Sequence, residues 1–387
     1  RDVGDAGLRT LASTLHDGAL PNLQDFMFNK NHIGNENVEV LVSALCSGSS
    51  YIKRLELNDN GVGDSVVKIM AEGLAKLESI SLNNNMVGDE GAQLIAKGPW
   101  LKLHTLNLTN NPFGQHSINV LSKSLAQKGG GLYAVTSVSV DSFKINAREM
   151  REKSKHTPPA PTNFDLTGVS DRGVDKDEKV TDRDMAVISE FLAQPDVLPK
   201  FEWLRLEYNS IGVVGVTSLA AALEANTGDA LKNMKRLFLH HNQIGSMGLK
   251  VLSGPIANGA LAKLKELHLS YNQIDDDGMS HFTAALACGG LPAVSNINLS
   301  QNMIGDAGCV GFAAALVKGA TPYLQALYLG GNAIADAGAK ELGQALVEGF
   351  APKLDQLYLF KNKLTEEAKQ EMTSSVIAKR KRMTLDL

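Results

Sequence analysis

The chain has 387 residues, 43% of them hydrophobic and 5% aromatic, and a formal net charge of -4. That is ample apolar material for a core, and the mild acidity excludes a global attraction to nucleic acid or to an anionic membrane. No apolar run approaches the ~18 residues needed to cross a bilayer, and no signal-peptide core opens the chain. The three cysteines, Cys46, Cys288 and Cys309, are far apart and lack Cys-x-x-Cys spacing. They predict neither a disulfide framework nor a zinc site. Each falls in a helical stretch and is expected to be a small buried side chain in a reducing, cytoplasmic compartment.

Val3 to Gly7 reads as the middle of a repeat, so the expectation is a fragment or processed chain cut at both ends. The first complete unit is Phe26-x-Phe28-x-x-Asn31-x-Ile33-Gly34. Leu55-x-Leu57-x-x-Asn60, Ile80-x-Leu82-x-x-Asn85 and Leu106-x-Leu108-x-x-Asn111 follow. The alternation places both apolar residues on the buried face of a short strand. The asparagine is expected to turn inward beneath it, where its amide satisfies backbone groups of the turning chain. Asp64, Asp89, Asp306 and Asp336 stand where a helix N-cap is wanted. Helices such as 338–346 carry Ala339, Leu342, Ala345 and Leu346 on one face. Stops at Pro199, Pro292, Pro322 and Pro352 return the chain to the next strand.

The middle departs from this pattern. Val138-x-Val140-x-x-Phe143-x-Ile145 has phenylalanine in the asparagine position, 146–156 is highly charged, and Pro158-Pro159-Ala160-Pro161 follows. Phe164-x-Leu166 restarts a strand, and a polar stretch over 168–179 precedes Val180-Thr181-Asp182, where the helix signal resumes. This predicts two degenerate repeats carrying an exposed loop, either functional or a tolerated insertion. The expected organisation is N-terminal repeats over 1–145, the degenerate stretch over 146–180 and C-terminal repeats over 181–387, stacked as one solenoid. The last region is the most regular: Asn209 and Asn242 are 33 residues apart, and Asn272, Asn302, Asn332 and Asn362 follow at intervals of 30. Met383-x-Leu385-x-Leu387 reads as the opening strand of a further unit.

Self-similarity at a fixed period is the signature of a stacked array. The unit seen nearly whole at Leu324 to Leu346 resembles the ribonuclease-inhibitor class of leucine-rich repeats, and the likeness spans essentially the whole chain. That class includes ribonuclease inhibitor, the Ran GTPase-activating proteins and the sensor arrays of nucleotide-binding immune receptors. The expected fold is an α/β leucine-rich-repeat solenoid. Helices need more width than strands ~4.8 Å apart, so the stack should curve into a horseshoe with the sheet on its concave face and helices on its convex face. Two departures bear on the class member. Ribonuclease inhibitor is rich in cysteine, and the Ran activators carry a long acidic tail where this chain has Lys379-Arg380-Lys381-Arg382. No residue carries over as a GTPase-activating contact.

The residues between the strand leucines should face the open surface. In the N-terminal units these are Arg54, Glu56, Asn58, Ser79, Ser81, Asn83, Thr105, Asn107 and Thr109, which are mostly small and polar. The C-terminal units show Trp203, Arg205 and Glu207; Arg236, Phe238 and His240; Glu266 and His268; Tyr328; Tyr358 and Phe360. Tyr208, His241 and Tyr271 follow in the adjoining turns. Exposed aromatic and arginine side chains are the usual anchors of protein interfaces; aromatics also suit strands and pack across a ladder. The expected partner-binding residues are Trp203, Arg205, Tyr208, Arg236, Phe238, His240, His268, Tyr328, Tyr358 and Phe360.

No metal centre is expected. Beside His240, His241 and His268 only Glu266 offers a further ligand, and Asp275-Asp276-Asp277 reads as a capping cluster rather than a calcium site. The chain carries no Gly-x-Ser-x-Gly, no Cys–His arrangement and no Walker loop. Gly129-Gly130-Gly131 reads as a loop, and Lys379 to Arg382 as cations ending a helix. The expectation is a non-enzymatic interaction module or scaffold, without cofactor, that binds a protein partner through its concave face. The alternative is a regulator that stimulates a small GTPase, similar to the Ran activators; a sensor array would need a nucleotide-binding module upstream.

Overall fold

The structure is a computed structural model. It describes residues 5–48, 51–140, 144–145, 163–165, 179–194, 202–225 and 229–387, so most of the predicted 146–180 insertion lies outside the described residues. The chain divides into two compact units, Arg1–Glu152 with Ala186–Gln194 and Lys153–Met185 with Pro195–Leu387.

In the first unit, strands β1 (Asp25–Met27), β2 (Arg54–Glu56), β3 (Ser79–Ser81), β4 (Thr105–Asn107) and β5 (Ser137–Ser139) pair in parallel in chain order. A short β6 (Lys144–Ile145) folds back antiparallel onto β5, where the repeat phrase loses its asparagine. Helices α1 (Asp5–His16), α2 (Asn35–Gly48), α3 (Asp64–Gly73), α4 (Asp89–Lys97) and α5 (Gln115–Ala126) alternate with these strands. Helix α6 (Asp182–Leu192) spans the division between units.

The second unit contains eight parallel strands: β7 (Asn163–Asp165), β8 (Trp203–Arg205), β9 (Arg236–Phe238), β10 (Glu266–His268), β11 (Asn296–Asn298), β12 (Ala326–Tyr328), β13 (Gln356–Tyr358) and β14 (Thr384–Asp386). Between them run α7 (Val213–Ala225), the single turn α8 (Asp229–Lys232), α9 (Gly245–Ala257), α10 (Asp276–Ala287), α11 (Asp306–Val317), α12 (Asp336–Val347) and α13 (Glu366–Lys379). The fold class is the one expected, an α/β leucine-rich-repeat solenoid. In β8–β13 the middle residue and the leucine two positions on, such as Leu237 and Leu239, are buried, while the side chains flanking the middle residue, Ala326 excepted, are at least partly exposed. Each buried leucine contributes ~1.5–3 kcal/mol of hydrophobic stabilisation, so the repeated Leu-x-Leu supplies much of the cohesion.

Two polar ladders lock successive repeats together. The asparagine amides form the first. Asn60, Asn85, Asn111, Asn242, Asn272, Asn302, Asn332 and Asn362 each donate through Nδ2 to the carbonyl just after the strand of the preceding repeat. Their Oδ1 atoms accept from that repeat as well, as when Ile274 N–H donates to Asn302 Oδ1 at 3.1 Å. One side chain thereby satisfies carbonyls and amides that the turn would otherwise bury unpaired.

The second ladder corrects the reading of the aspartates. Asp64, Asp89, Asp306 and Asp336 are the first residues of their helices. Their own caps are Gly63, Gly88, Gly305 and Ala335, none with a side-chain cap bond. Each carboxylate instead accepts from the next repeat: Gly88 N–H on Asp64, Gly114 N–H on Asp89, Ala335 and Gly338 N–H on Asp306, and Thr365 N–H on Asp336. Asp276 and Asp182 do the same for the amides of Gly305 and Gly308, and of Gly212 and Gly215. A Cβ on Gly338 would lie 2.7 Å from Asp306 Oδ1 and one on Gly308 2.7 Å from Asp276 Oδ1. The glycine of Asp-x-Gly is therefore there for close approach, not for an unusual φ. Asp275 does cap its own helix, accepting from the amides of Asp277 and Gly278.

Arg380 serves the opposite helix ends. It donates to the carbonyls of Leu346, Phe350 and Ala351 just behind α12. This extends the helix-terminal reading of the Lys379–Arg382 cluster from its own helix to the neighbour's. Among the cysteines only Cys309 is buried; Cys46 is half-buried, and Cys288, at the end of α10, is exposed, contrary to expectation.

Candidate functional site

All ten expected partner-binding residues lie in the second unit, and its parallel register aligns them in rows. Trp203, Arg236, Glu266, Asn296, Ala326 and Gln356 form one row. Arg205, Phe238, His268, Asn298, Tyr328 and Tyr358 form the next. Two residues beyond each strand stand Glu207, His240, Ser270, Ser300, Gly330 and Phe360. Immediately before the ladder asparagine come Tyr208, His241, Tyr271, Gln301, Gly331 and Lys361, every one with positive φ.

The side chains on β8–β10 and the turns after them make a dense patch. The Arg236 guanidinium lies 4.0 Å over the Trp203 ring and pairs with Glu266 at 2.8 Å. Arg205 donates to Glu207 at 2.8 Å and sits 5.9 Å from the Phe238 centroid. Phe238 meets His268 edge-on at 4.8 Å, and His240 stands 6.0 Å from His268 and 5.4 Å from Tyr208. Tyr208, His241 and Tyr271 stack almost parallel, with centroids 4.3 and 4.0 Å apart.

This stack is built where the backbone disfavours it. Tyr208, His241 and Tyr271 have φ of 61°, 55° and 55°. A left-handed conformation costs a bulky residue ~1–2 kcal/mol, and ring pairs return ~0.5–1.5 kcal/mol each. The first unit places Lys30, Asp59, Asn84 and Asn110 at the equivalent positions, and aspartate and asparagine tolerate this region well.

Burial sets the charge state of the patch. It pushes His240 and His268 down to about 4, assisted for His240 by His241 and Arg205, and for His268 by His240 and Arg236. Glu207 works the other way on His268. Both imidazoles are therefore neutral at physiological pH. Among the described residues no group of three or more His, Cys, Asp or Glu side chains could hold a metal ion.

Tyr328 and Tyr358 form a separate stack at 4.7 Å, and Phe360 lies on Gly330, where a Cβ would meet its ring at 2.7 Å. Asn296 and Asn298 of β11 stand between this second cluster and the first. The structure thus joins Arg205, Tyr208, Phe238, His240 and His268 through ring and cation contacts, sets Trp203 with Arg236 on the adjoining row, and leaves Tyr328, Tyr358 and Phe360 two strands away.

Sequence reasoning misplaced Glu207, which the alternation puts at an open position. It is only 1% exposed, covered by the larger groups around it. His241 and Tyr271 were visible as turn residues, but their stacking with Tyr208 was not. The available signal was that all three immediately precede a ladder asparagine.

The first unit's face is different in kind. Arg54 donates to Asp25, Asn29 to Glu56, Ser81 to Asn58, Asn84 to Asp59 and Asn110 to Asn84. Its polar groups largely satisfy one another.

Comparison with known proteins agrees with the repeat reading. A family model described as "Leucine Rich repeat" matches residues 73–96, 260–282 and 321–343. No curated protein matches the chain by sequence. Similar solved structures include an internalin from Listeria monocytogenes, with 14% identity over 99% of this chain and 93% of that one, at a TM-score of 0.33. A leucine-rich-repeat protein from Leptospira interrogans shows 15% identity over 96% and 86%, at a TM-score of 0.33. The matched stretches each take in one strand, β3, β10 or β12, the turn after it and much of the following helix. The chain has the leucine-rich-repeat fold, and three of its stretches match that family's model.

Proposed function

We propose that the sheet face of the second unit is a docking surface for a protein partner and that the chain is a non-enzymatic interaction module or scaffold. One observation carries this reading: large aromatic, histidine and arginine side chains stand half-exposed on a rigid hydrogen-bonded sheet, three of the rings held in a backbone conformation that disfavours them. Such groups dominate interface energetics, and a preorganised face loses little entropy on docking. Leucine-rich repeats serve generally as protein-interaction modules, which supports the same reading.

The anchors are Trp203, Arg205, Tyr208, Arg236, Phe238, His240, His268, Tyr328, Tyr358 and Phe360. Within the repeat family we assign the chain to the ribonuclease-inhibitor-like class, on a 30-residue period that alternates a three-residue strand with a helix of 12 or 13 residues in α9–α12. We place it in a reducing compartment such as the cytoplasm, since Cys46, Cys288 and Cys309 are free thiols.

The test is capture of the partner from the native source by wild type and by Trp203→Ala combined with Tyr358→Ala. The double variant is expected to lose capture by at least about tenfold while its thermal unfolding stays close to wild type. Undiminished capture would discard the assignment of this face.

A further inference from the structure

We infer that the docking face contains a subsite for an arginine side chain of the partner, formed by Glu207, His240 and the rings of Tyr208 and Phe238. This rests on the docking reading above and names the chemistry it takes. Glu207 stands at an outward position yet is almost wholly buried. The Arg205 Nε and a terminal guanidinium nitrogen both donate to the same oxygen, Oε1. Glu207 Oε2 is buried and has no hydrogen-bond partner among the described residues. His240 follows in the same row one strand along, and its Nδ1 is likewise buried without a partner. Leaving one such group unsatisfied costs ~1–3 kcal/mol, so two on adjacent strands favour an incoming donor.

Three requirements narrow the donor. It must supply more than one N–H, because a carboxylate oxygen and a neutral imidazole nitrogen are to be met together. It must tolerate flat ring surroundings, since Tyr208 lies edge-on to His240 and Phe238 faces both histidines. Its charge must suit Glu207. A guanidinium meets all three, being a planar fork of donors that stacks on rings; an ammonium lacks the fork and the plane, and a carboxylate is repelled. The face already uses this combination of ring, guanidinium and carboxylate with its own Arg236, Trp203 and Glu266.

Access and charge are compatible with this. The Arg205 side chain is 41% exposed and Tyr208 is half-exposed, so rotation of surface side chains uncovers Glu207 without moving a strand. Arg205 is balanced by Glu207 and Arg236 by Glu266, which leaves no uncompensated cation in these pairs to repel the newcomer.

The test titrates the whole chain with N-acetyl-arginine N-methylamide and follows the imidazole NMR signals of His240 and His268. Saturable shifts at roughly millimolar to tens of millimolar concentration are expected, as suits one side chain binding alone. Glu207→Gln should weaken binding by at least about tenfold, and the neutral citrulline analogue should not saturate. His240→Leu, read at His268, gives a second measure should Glu207→Gln fail to fold. The absence of saturable shifts in wild type, equal binding by a folded Glu207→Gln or by His240→Leu, or equal binding of the lysine analogue would each overturn the inference. If the arginine analogue fails while the Trp203/Tyr358 double variant still abolishes capture, only the subsite falls. If capture survives that double variant, it is the docking reading that falls.

Discussion

In the first unit the outward positions of β3 and β4 carry Ser79, Ser81, Thr105 and Asn107, whereas the same positions of β8 and β9 in the second unit carry Trp203, Arg205, Arg236 and Phe238. The inward positions hardly differ: Ile80 and Leu106 match Leu204 and Leu237, all essentially buried. The left-handed position repeats the contrast, with Asp59, Asn84 and Asn110 in one unit and Tyr208, His241 and Tyr271 in the other. One framework therefore carries two surfaces. The first resolves its hydrogen bonds internally, through links such as Asn110 to Asn84 and Asn84 to Asp59. The second sets large rings at its left-handed positions and keeps both Glu207 Oε2 and His240 Nδ1 buried without a partner, against Asn83 Oδ1 on the first. That asymmetry is the ground on which the docking surface is proposed for the second unit.

The sharpest way to break the comparison is to give the second face the character of the first. Phe238→Ser with Tyr328→Ser and Tyr358→Ser should reduce partner affinity by about a hundredfold or more, near 3 kcal/mol, in calorimetry or surface-binding measurements. Ser81→Ala with Asn107→Ala should leave it unchanged.

The framework itself should respond to ladder residues rather than to surface ones. Asn272 is fully buried and binds the carbonyls of Leu239, Leu269 and Ser270. Asn272→Ala should cost about 2–3 kcal/mol in urea unfolding, and Asn119→Ala, on the exposed side of α5, less than about 0.5 kcal/mol. An equal effect at the two sites would contradict the ladder assignment.

Asp276→Ala removes only the carboxylate that receives the amides of Gly305 and Gly308. It should destabilise by about 1 kcal/mol, with faster hydrogen exchange at those two amides in the next repeat. Exchange that quickens at the start of its own helix instead would restore the self-capping reading.

The smallest expected effect is in pH. His240 and His268 titrate at about 4 when folded, below their ordinary 6.5, so the unfolded chain binds protons there that the folded chain does not. Stability of the second unit is full above pH 6.5 and declines as pH falls from 6.5 toward about 4. His240→Phe with His268→Phe should flatten that decline; an unaltered slope would mean that other groups cause it.

Much of this was legible from residue spacing. Leu-x-Leu and the asparagine at 30-residue intervals dictate strand, inward turn and stacking, because each depends on local alternation plus a repeat of the same unit. The role of Asp306 was not legible: its partners, the amides of Ala335 and Gly338, belong to the next repeat, and a local pattern cannot tell a self-cap from a neighbour's cap. The recurring glycine two residues after Asp89, Asp306 and Asp336 was the missed clue. Alternation likewise placed Glu207 in the open, since it reports direction from the sheet and says nothing about which neighbours fold over it.

The most direct measurement is site-specific photo-crosslinking in the native source, with a benzophenone amino acid placed at Phe238, at Ser81 or at the exposed Val310 of α11. The account predicts one partner adduct from the Phe238 position and none from the other two. The same adduct from Ser81 or Val310, with none from Phe238, would contradict it.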